Sequence, residues 1–225
     1  MANKINEEPV NNEAVKSTIS KAEQFYEGNK KIILIIFAVI IVAAAAVLCY
    51  TKFIYGPQCE EAQAQMFPAE NLFKSGDYET ALNGDGNVLG FAQIIDEYGA
   101  KAGKAVYFYA GVSALQTKKY EEALTYLQKY KVKDPVLGPR AKACEGDAYV
   151  GLGEDSYQKA VDCYVKAADM ADNMFAASYL LKAGVTYEAL GANDKALECY
   201  DRIRKFYPMS PEIADALKYI ARIEE

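Results

Sequence analysis

The chain has 225 residues, enough for one ordinary domain with appendages, and its 52% hydrophobic and 25% charged composition excludes a chain disordered throughout. It contains no His and no Trp; the lack of His removes imidazole bases, imidazole metal ligands and Ser-His or Cys-His nucleophile pairs, while Lys, Tyr or carboxylate chemistry stays open. The net charge of -6 lies beyond residue 31, because the first 31 residues carry five Lys and five Glu; a mildly acidic body argues against nucleic acid as a partner.

Residues 1–29 are polar, with Asn-rich and Glu-rich stretches, and read as a short flexible tail with an interfacial helix over 20–26. Residues 32–50, IILIIFAVIIVAAAAVLCY, carry no charge. At about 1.5 Å per residue such a run crosses a hydrocarbon core of about 30 Å. Uniform hydrophobicity and flanking lysines distinguish it from a buried core helix, and a transmembrane signal-anchor is expected over 30–52. Lys16, Lys21, Lys30 and Lys31 precede it, whereas Lys52 and then Glu60 and Glu61 follow. That lysine bias places the N-terminus in the cytoplasm and residues 56–225 outside it. The alternative is a cleaved signal peptide, for which Ala43 to Ala46 offer a site, although the apolar run is longer than a usual signal core and 31 residues precede it. Leu48 stands where a lipidation signal at Cys49 would need a small residue.

Beyond Pro57 the pattern turns helical and repetitive. A degenerate copy, FPAENLFKSGDYETAL (67–82), is interrupted by NGDGNVLGFAQIIDEYG (83–99). The Gly-Asp-Gly stretch lacks both the Lys-Ser/Thr of a phosphate loop and the ligand spacing of a calcium-binding hand, so it reads as a structural break before a short helix over 89–98. Segments 104–135, 140–168 and 177–208 then align. Each has a Gly midway along its first helix (Gly111, Gly146, Gly184) and an Ala in its second (Ala123, Ala160, Ala196). The Gly steps are 35 and 38 and the Ala steps 37 and 36, near the period of about 34 that marks tetratricopeptide repeats (TPRs). Small residues let two antiparallel helices approach where their axes cross. Tyr107, Leu127, Tyr149, Tyr164, Leu180, Tyr187 and Tyr200 fill the space beside them, and Pro135 and Pro208 are expected to end second helices. Ile213, Leu217, Ile220 and Ile223 form a stripe on a last helix that caps the array. The expected fold is all-α: a TPR-like helical-hairpin solenoid preceded by one transmembrane helix. Its parts are a degenerate hairpin at 58–99, repeats at 104–137, 139–174 and 177–210, and a capping helix at 211–225.

The five cysteines show no CxxC spacing; they read as small buried thiols on helices, with pairing in an oxidising compartment left open. Adjacent carboxylates such as Glu121-Glu122 do not face one another on a helix and read as solvated. No cofactor, metal or small-molecule substrate is expected, and binding rather than catalysis is. Repeat position projects a groove lined by Ala105, Phe108, Val112 and Leu115 in one repeat, Arg140, Ala143, Asp147 and Val150 in the next, and Ser178, Leu181, Val185 and Glu188 in the last. Phe108 has two readings, groove lining or packing against the neighbouring hairpin. Val112, Asp147 and Val185 stand where carboxylate-gripping TPRs carry Asn, so the groove suits an extended or helical apolar segment instead.

The flank Lys30-Lys31 with its apolar run, the weak hairpin at 69–81, and Glu145-Gly146-Asp147-Ala148 followed by Gly151-Leu152-Gly153 and Ala160 resemble the ancillary Sec translocon subunit family (YfgM-like) over residues 20–225. The resemblance implies a single-pass protein of the bacterial inner membrane with a cytoplasmic N-terminus and a periplasmic TPR-like domain. It also implies the Sec translocon, periplasmic chaperones and secretory clients as partners. The expected function is therefore a membrane-tethered adaptor near the secretion machinery; the alternative is a self-associating scaffold of an envelope complex.

Overall fold

A computed structural model of the chain describes the backbone from residue 12 to 225 except 132 and 172, and side chains from residue 25 onward. It divides into two compact units, Met1–Gly56 and Pro57–Glu225.

In the first unit, helix α1 (Asn12–Tyr50) is followed by a π-helical turn at Thr51–Tyr55. The helix begins well before the apolar run, so residues 12–29 are helical rather than a flexible tail; residues 1–11 lie outside the described residues. Nothing interrupts the pattern: no Gly or Pro falls between Asn12 and Phe25, and Gly28 alone precedes the apolar segment. From Leu34 to Tyr50 every side chain is exposed. A helix this long, apolar and uncovered by protein meets the length and composition needed to cross a membrane.

The second unit is built of helices among its described residues. Helix α2 (Gly56–Ser75) starts with Pro57 in its first turn, where a missing N–H costs nothing. It buries Ala62, Met66 and Ala69. The short α3 (Tyr78–Asn83) is capped by the Asp77 carboxylate, which accepts from Thr80 N at 3.2 Å. Gly84, at φ 78°, ends it. The loop to α4 (Phe91–Tyr98) is closed from within. Asp85 accepts from the N–H groups of Asn87 and Val88, both at 2.8 Å, and these bonds hold its carboxyl below the usual carboxylate range. Gly90 presses on the preceding strand of loop: a Cβ there would lie 2.3 Å from the Leu82 carbonyl oxygen. The Gly-Asp-Gly stretch is thus a sealed turn. The helix after it starts at Phe91 rather than 89, because Gly90 N donates to the Gln93 side chain at 3.0 Å and fixes the first turn there.

Six helices follow as three antiparallel hairpins: α5 (Ala105–Gln116) with α6 (Tyr120–Leu127), α7 (Leu137–Gly151) with α8 (Tyr157–Met170), and α9 (Phe175–Ala189) with α10 (Asn193–Phe206). The small residues lie at the crossings. Ala123, Ala160 and Ala196 are fully buried. A Cβ on Gly111 would meet Leu127 at 2.6 Å, on Gly146 the Tyr164 ring at 2.6 Å, and on Gly184 the Tyr200 ring at 2.3 Å. Pro208 follows α10 closely, but Pro135 does not end α6, which stops at Leu127, with turns at 128–129 before an irregular connection. Asp134 uses its carboxylate to gather the N–H groups of Val136 and Leu137 at the start of α7.

Helix α11 (Ile213–Glu224) packs on α10. Its buried face runs through Ala216 and Ile220, with Ile213 and Ile223 partly covered. Leu217, expected in that stripe, is 46% exposed, since Ala216 one position earlier takes the inward place. Cys163 and Cys199 are buried on α8 and α10, and burial pushes the thiols of Cys144, Cys163 and Cys199 each up to about 11, which disfavours the thiolate.

Candidate protein-binding groove

The first helices of the three hairpins, α5, α7 and α9, line a cavity of about 430 Å³. Val112 and Leu115 come from α5, Arg140, Ala143 and Asp147 from α7, and Ser178 and Lys182 from α9. On α7 these positions recur at i, i+3 and i+7, one stripe of a 3.6-residue period. Val136 and Phe175 stand at the helix entrances and are exposed, which gives the cavity an apolar margin.

Its charge is organised by Asp147. The Tyr164 hydroxyl of α8 donates to Asp147 Oδ1 at 2.7 Å. Lys182 Nζ of α9 donates to both carboxylate oxygens at 2.7 and 2.8 Å. Burial, and then the neighbouring Asp147 charge, raise the Tyr164 hydroxyl far above its ordinary value, so it remains a donor at any physiological pH. Arg140 stays exposed, its guanidinium 5.9 Å from the centre of the Phe108 ring.

Of the residues projected onto this surface, Val112, Leu115, Arg140, Ala143, Asp147 and Ser178 meet around the cavity. The others do not. Phe108 is 4% exposed and belongs to the core, covered by the Tyr130 ring at 5.7 Å and by Arg140. Of its two readings, the structure gives packing. Ala105 is half-buried at the start of α5 and off the cavity. Val150 and Leu181 pack against the core of the last two hairpins. Glu188 is engaged elsewhere, accepting from the Tyr200 hydroxyl of α10 and from Arg222 of α11. Val185 is 45% exposed but outside the cavity.

On α7 the projected Arg140, Ala143 and Asp147 line the cavity and Val150 does not; on α9 only Ser178 of the four does. There Ser178, Tyr179 and Lys182 face the cavity, while Leu181 packs on the core, Val185 is exposed and Glu188 accepts from Arg222 of α11. Gln116, Val136, Cys144, Phe175, Tyr179 and Lys182 were missed. A signal existed for Lys182: it is a lone cation two residues before the crossing Gly184, in a repeat whose preceding neighbour places an acid, Asp147, one residue after its own crossing glycine. Among the described residues no group of three or more His, Cys, Asp or Glu side chains is placed to hold a metal ion.

Comparison with known proteins matches the tetratricopeptide repeat family at residues 105–135 and 178–210, which are the α5–α6 and α9–α10 hairpins with their flanks. The crystal structure of MamA is similar with a TM-score of 0.52 and 19% sequence identity, over 69% of this chain and 92% of that one. No curated protein sequence matches. At this identity the MamA likeness speaks to fold alone. The chain is an all-α protein that carries tetratricopeptide repeats, which point to protein partners, together with a long apolar helix near its N-terminus.

Proposed function

We propose that the chain is a membrane-tethered TPR adaptor that binds envelope proteins or secretory clients near the secretion machinery. The observation that carries this reading is the cavity of about 430 Å³ on the first-helix side, with the buried Val112 and Ala143 as its floor, half-buried Leu115 beside them and exposed Val136 and Phe175 at its rim. Concave, largely apolar surfaces with a few oriented polar groups are where proteins take ligands and peptide segments. The uncovered apolar helix supplies the tether, and its preceding lysines support a cytoplasmic N-terminus with the repeats on the periplasmic side of a bacterial inner membrane. Tethering beside the translocon raises the effective concentration of repeats and clients without any new contact. The hairpin over 139–174 is read as a third repeat of the same kind, because Gly146 and Ala160 repeat the crossing geometry of the matched ones. The Sec translocon and periplasmic chaperones are the partners this reading names.

Photo-crosslinkers placed at Phe175 and Ser178 in the membrane-embedded protein test it. Adducts with translocon subunits, periplasmic chaperones or secretory clients are expected there, and fewer from exposed positions on α10 such as Glu198. Adducts only from within residues 32–50 would assign binding to the membrane helix and overturn the groove. A second reading, a scaffold that self-associates, draws on the exposed apolar side chains near the last hairpin, Phe206, Met209 and Leu217. Crosslinks between copies at Met209, with none to other proteins at Phe175, would favour it.

A further inference from the structure

Helix α7 has a second exposed flank, opposite the groove. There α7, α8 and the connection before α7 enclose a cleft of about 710 Å³. Five lysines line it, Lys131, Lys133, Lys142, Lys159 and Lys166, against two carboxylates, Glu145 and Asp162. This is the reverse of the chain as a whole, where 31 acidic side chains exceed 25 basic ones. Glu145 is 7% exposed and is spent on Lys142, whose Nζ lies 2.7 Å from it. Asp162 accepts from Gln158 at 3.0 Å. Among the described residues no ion pair holds Lys131, Lys133, Lys159 or Lys166. Aromatic rings stand between the cations: Tyr130 and Tyr149 line the same cleft, and Lys159 Nζ lies 5.7 Å from the Tyr149 ring centre.

We propose that this cleft between α7 and α8 binds an acidic segment of a partner protein, with carboxylates on the four unpaired lysines and an apolar or aromatic side chain against Tyr130 and Tyr149. The surface is separate from the groove, and the proposal does not rest on it.

Five ammonium groups against two carboxylates leave an excess of three positive charges around one concavity, which focuses a positive potential that low-dielectric walls strengthen. The choice of anion follows from range. Screening confines the attraction to about 8–10 Å at physiological salt. A short peptide segment lies wholly inside that distance. A nucleic acid strand or an anionic membrane surface extends beyond it and meets the acidic remainder of the chain. Lysines, as flexible point charges, tolerate varied carboxylate spacing, whereas fixed bidentate recognition would call for arginines. The rings add what a purely electrostatic patch lacks, a place for a side chain between the charges.

The test uses the full chain in a neutral detergent and a fluorescein-labelled peptide of glutamates around one phenylalanine, read by anisotropy. Saturable binding that weakens as salt is raised is expected, with loss of about tenfold or more in affinity for the Lys159→Glu/Lys166→Glu double variant. Lys131→Gln/Lys133→Gln lies in the connection outside the helices and should weaken binding without altering the circular dichroism spectrum. Lys218→Glu, exposed and outside both the cleft and the groove, should leave affinity unchanged. Equal binding of a glutamine version of the peptide, or parent-like affinity in both cleft variants, would overturn the proposal. So would lysine-dependent binding of single-stranded DNA or of a soluble short-chain phosphatidylglycerol in the absence of peptide binding.

Discussion

The α5–α6 hairpin and the two that follow meet the same steric demand with different chemistry. In all three a glycine lets the second helix close on the first. Gly111 meets Leu127, and the contact ends in hydrocarbon. Gly146 and Gly184 meet Tyr164 and Tyr200, whose rings continue to a hydroxyl. Each hydroxyl donates to a carboxylate on its own first helix, Asp147 or Glu188, and each carboxylate takes a cation from the next helix along, Lys182 of α9 or Arg222 of α11. The tyrosine therefore closes its hairpin and also orients the group that joins it to the next one. In α5–α6 no carboxylate makes the joint: Phe108 packs between Tyr130 and Arg140, and Gln128 just beyond α6 donates to the Tyr149 hydroxyl of α7 at 3.3 Å.

The largest expected effect tests the packed end of this contrast. Phe108→Ala should lower stability by about 3–4 kcal/mol, the range for emptying a buried aromatic site. Thermal unfolding of the full chain would measure it, and a loss below about 1 kcal/mol would return Phe108 to an open surface. Next come the glycines. Leu at Gly146 or Gly184 should cost about 3 kcal/mol, the upper part of the overpacking range, because the opposing ring is fixed at its hydroxyl end as well. Gly111→Leu faces the buried Leu127, which no hydrogen bond fixes at its far end, and should cost less, about 2 kcal/mol. Equal losses at the three sites would erase the distinction.

Tyr164→Phe and Tyr200→Phe keep the ring and remove the hydroxyl, with an expected loss of about 1.5 kcal/mol each for a hydrogen bond to a charged acceptor. They also carry a pH signature. Burial first raises both hydroxyls above their ordinary value; at Tyr164 the Asp147 charge follows, and at Tyr200 the hydrogen bond to Glu188. A group whose folded pKa is raised contributes stability that is complete below its unfolded value, near 10 for tyrosine, and is lost as pH climbs beyond it. Above that pH the unfolded chain has released the proton while the folded one retains it, so stability falls. Both Phe variants should flatten this alkaline decline in urea titrations across pH 9 to 11, and Leu127→Met should leave it as steep as in the parent. The smallest effect is expected of Lys182→Met, below about 1 kcal/mol, because that side chain is 46% exposed and solvent screens the pair. The loss should shrink further in high salt.

What the sequence made legible follows the range of the determining contacts. The crossing glycines and alanines are set within one hairpin, where spacing along the chain fixes which residues meet, and all six lie at close contacts. The groove stripe of α7 was legible for the same reason. Phe108 was undecided because its cover comes from the irregular connection and the next first helix, and no periodicity in α5 reveals them. Glu188 was misplaced because Arg222 of α11, 34 residues away, engages it. Leu217 was placed inside because the pattern of large apolar residues outvotes an alanine, whereas the close approach of α11 to α10 favours the smaller Ala216. The helix over 12–29 was read only at 20–26, because polar, Asn- and Glu-rich composition resembles a solvated tail as closely as it does a charged helix.

The sealed turn between α3 and α4 bears on how this protein could be extended. Its two ends are joined below the tip, where Gly90 abuts the Leu82 carbonyl and Gln93 locks the next helix, so neither helix depends on what lies between Gly86 and Asn87. Gly86 points into open space. Lengthening a loop whose base is already closed adds only about 0.6 kcal/mol per doubling. An epitope or a small fluorescent module grafted at that tip would ride on the repeat domain without entering its packing, and the same permissiveness makes this the position at which a lineage could acquire a new surface element while every hairpin stayed as it is.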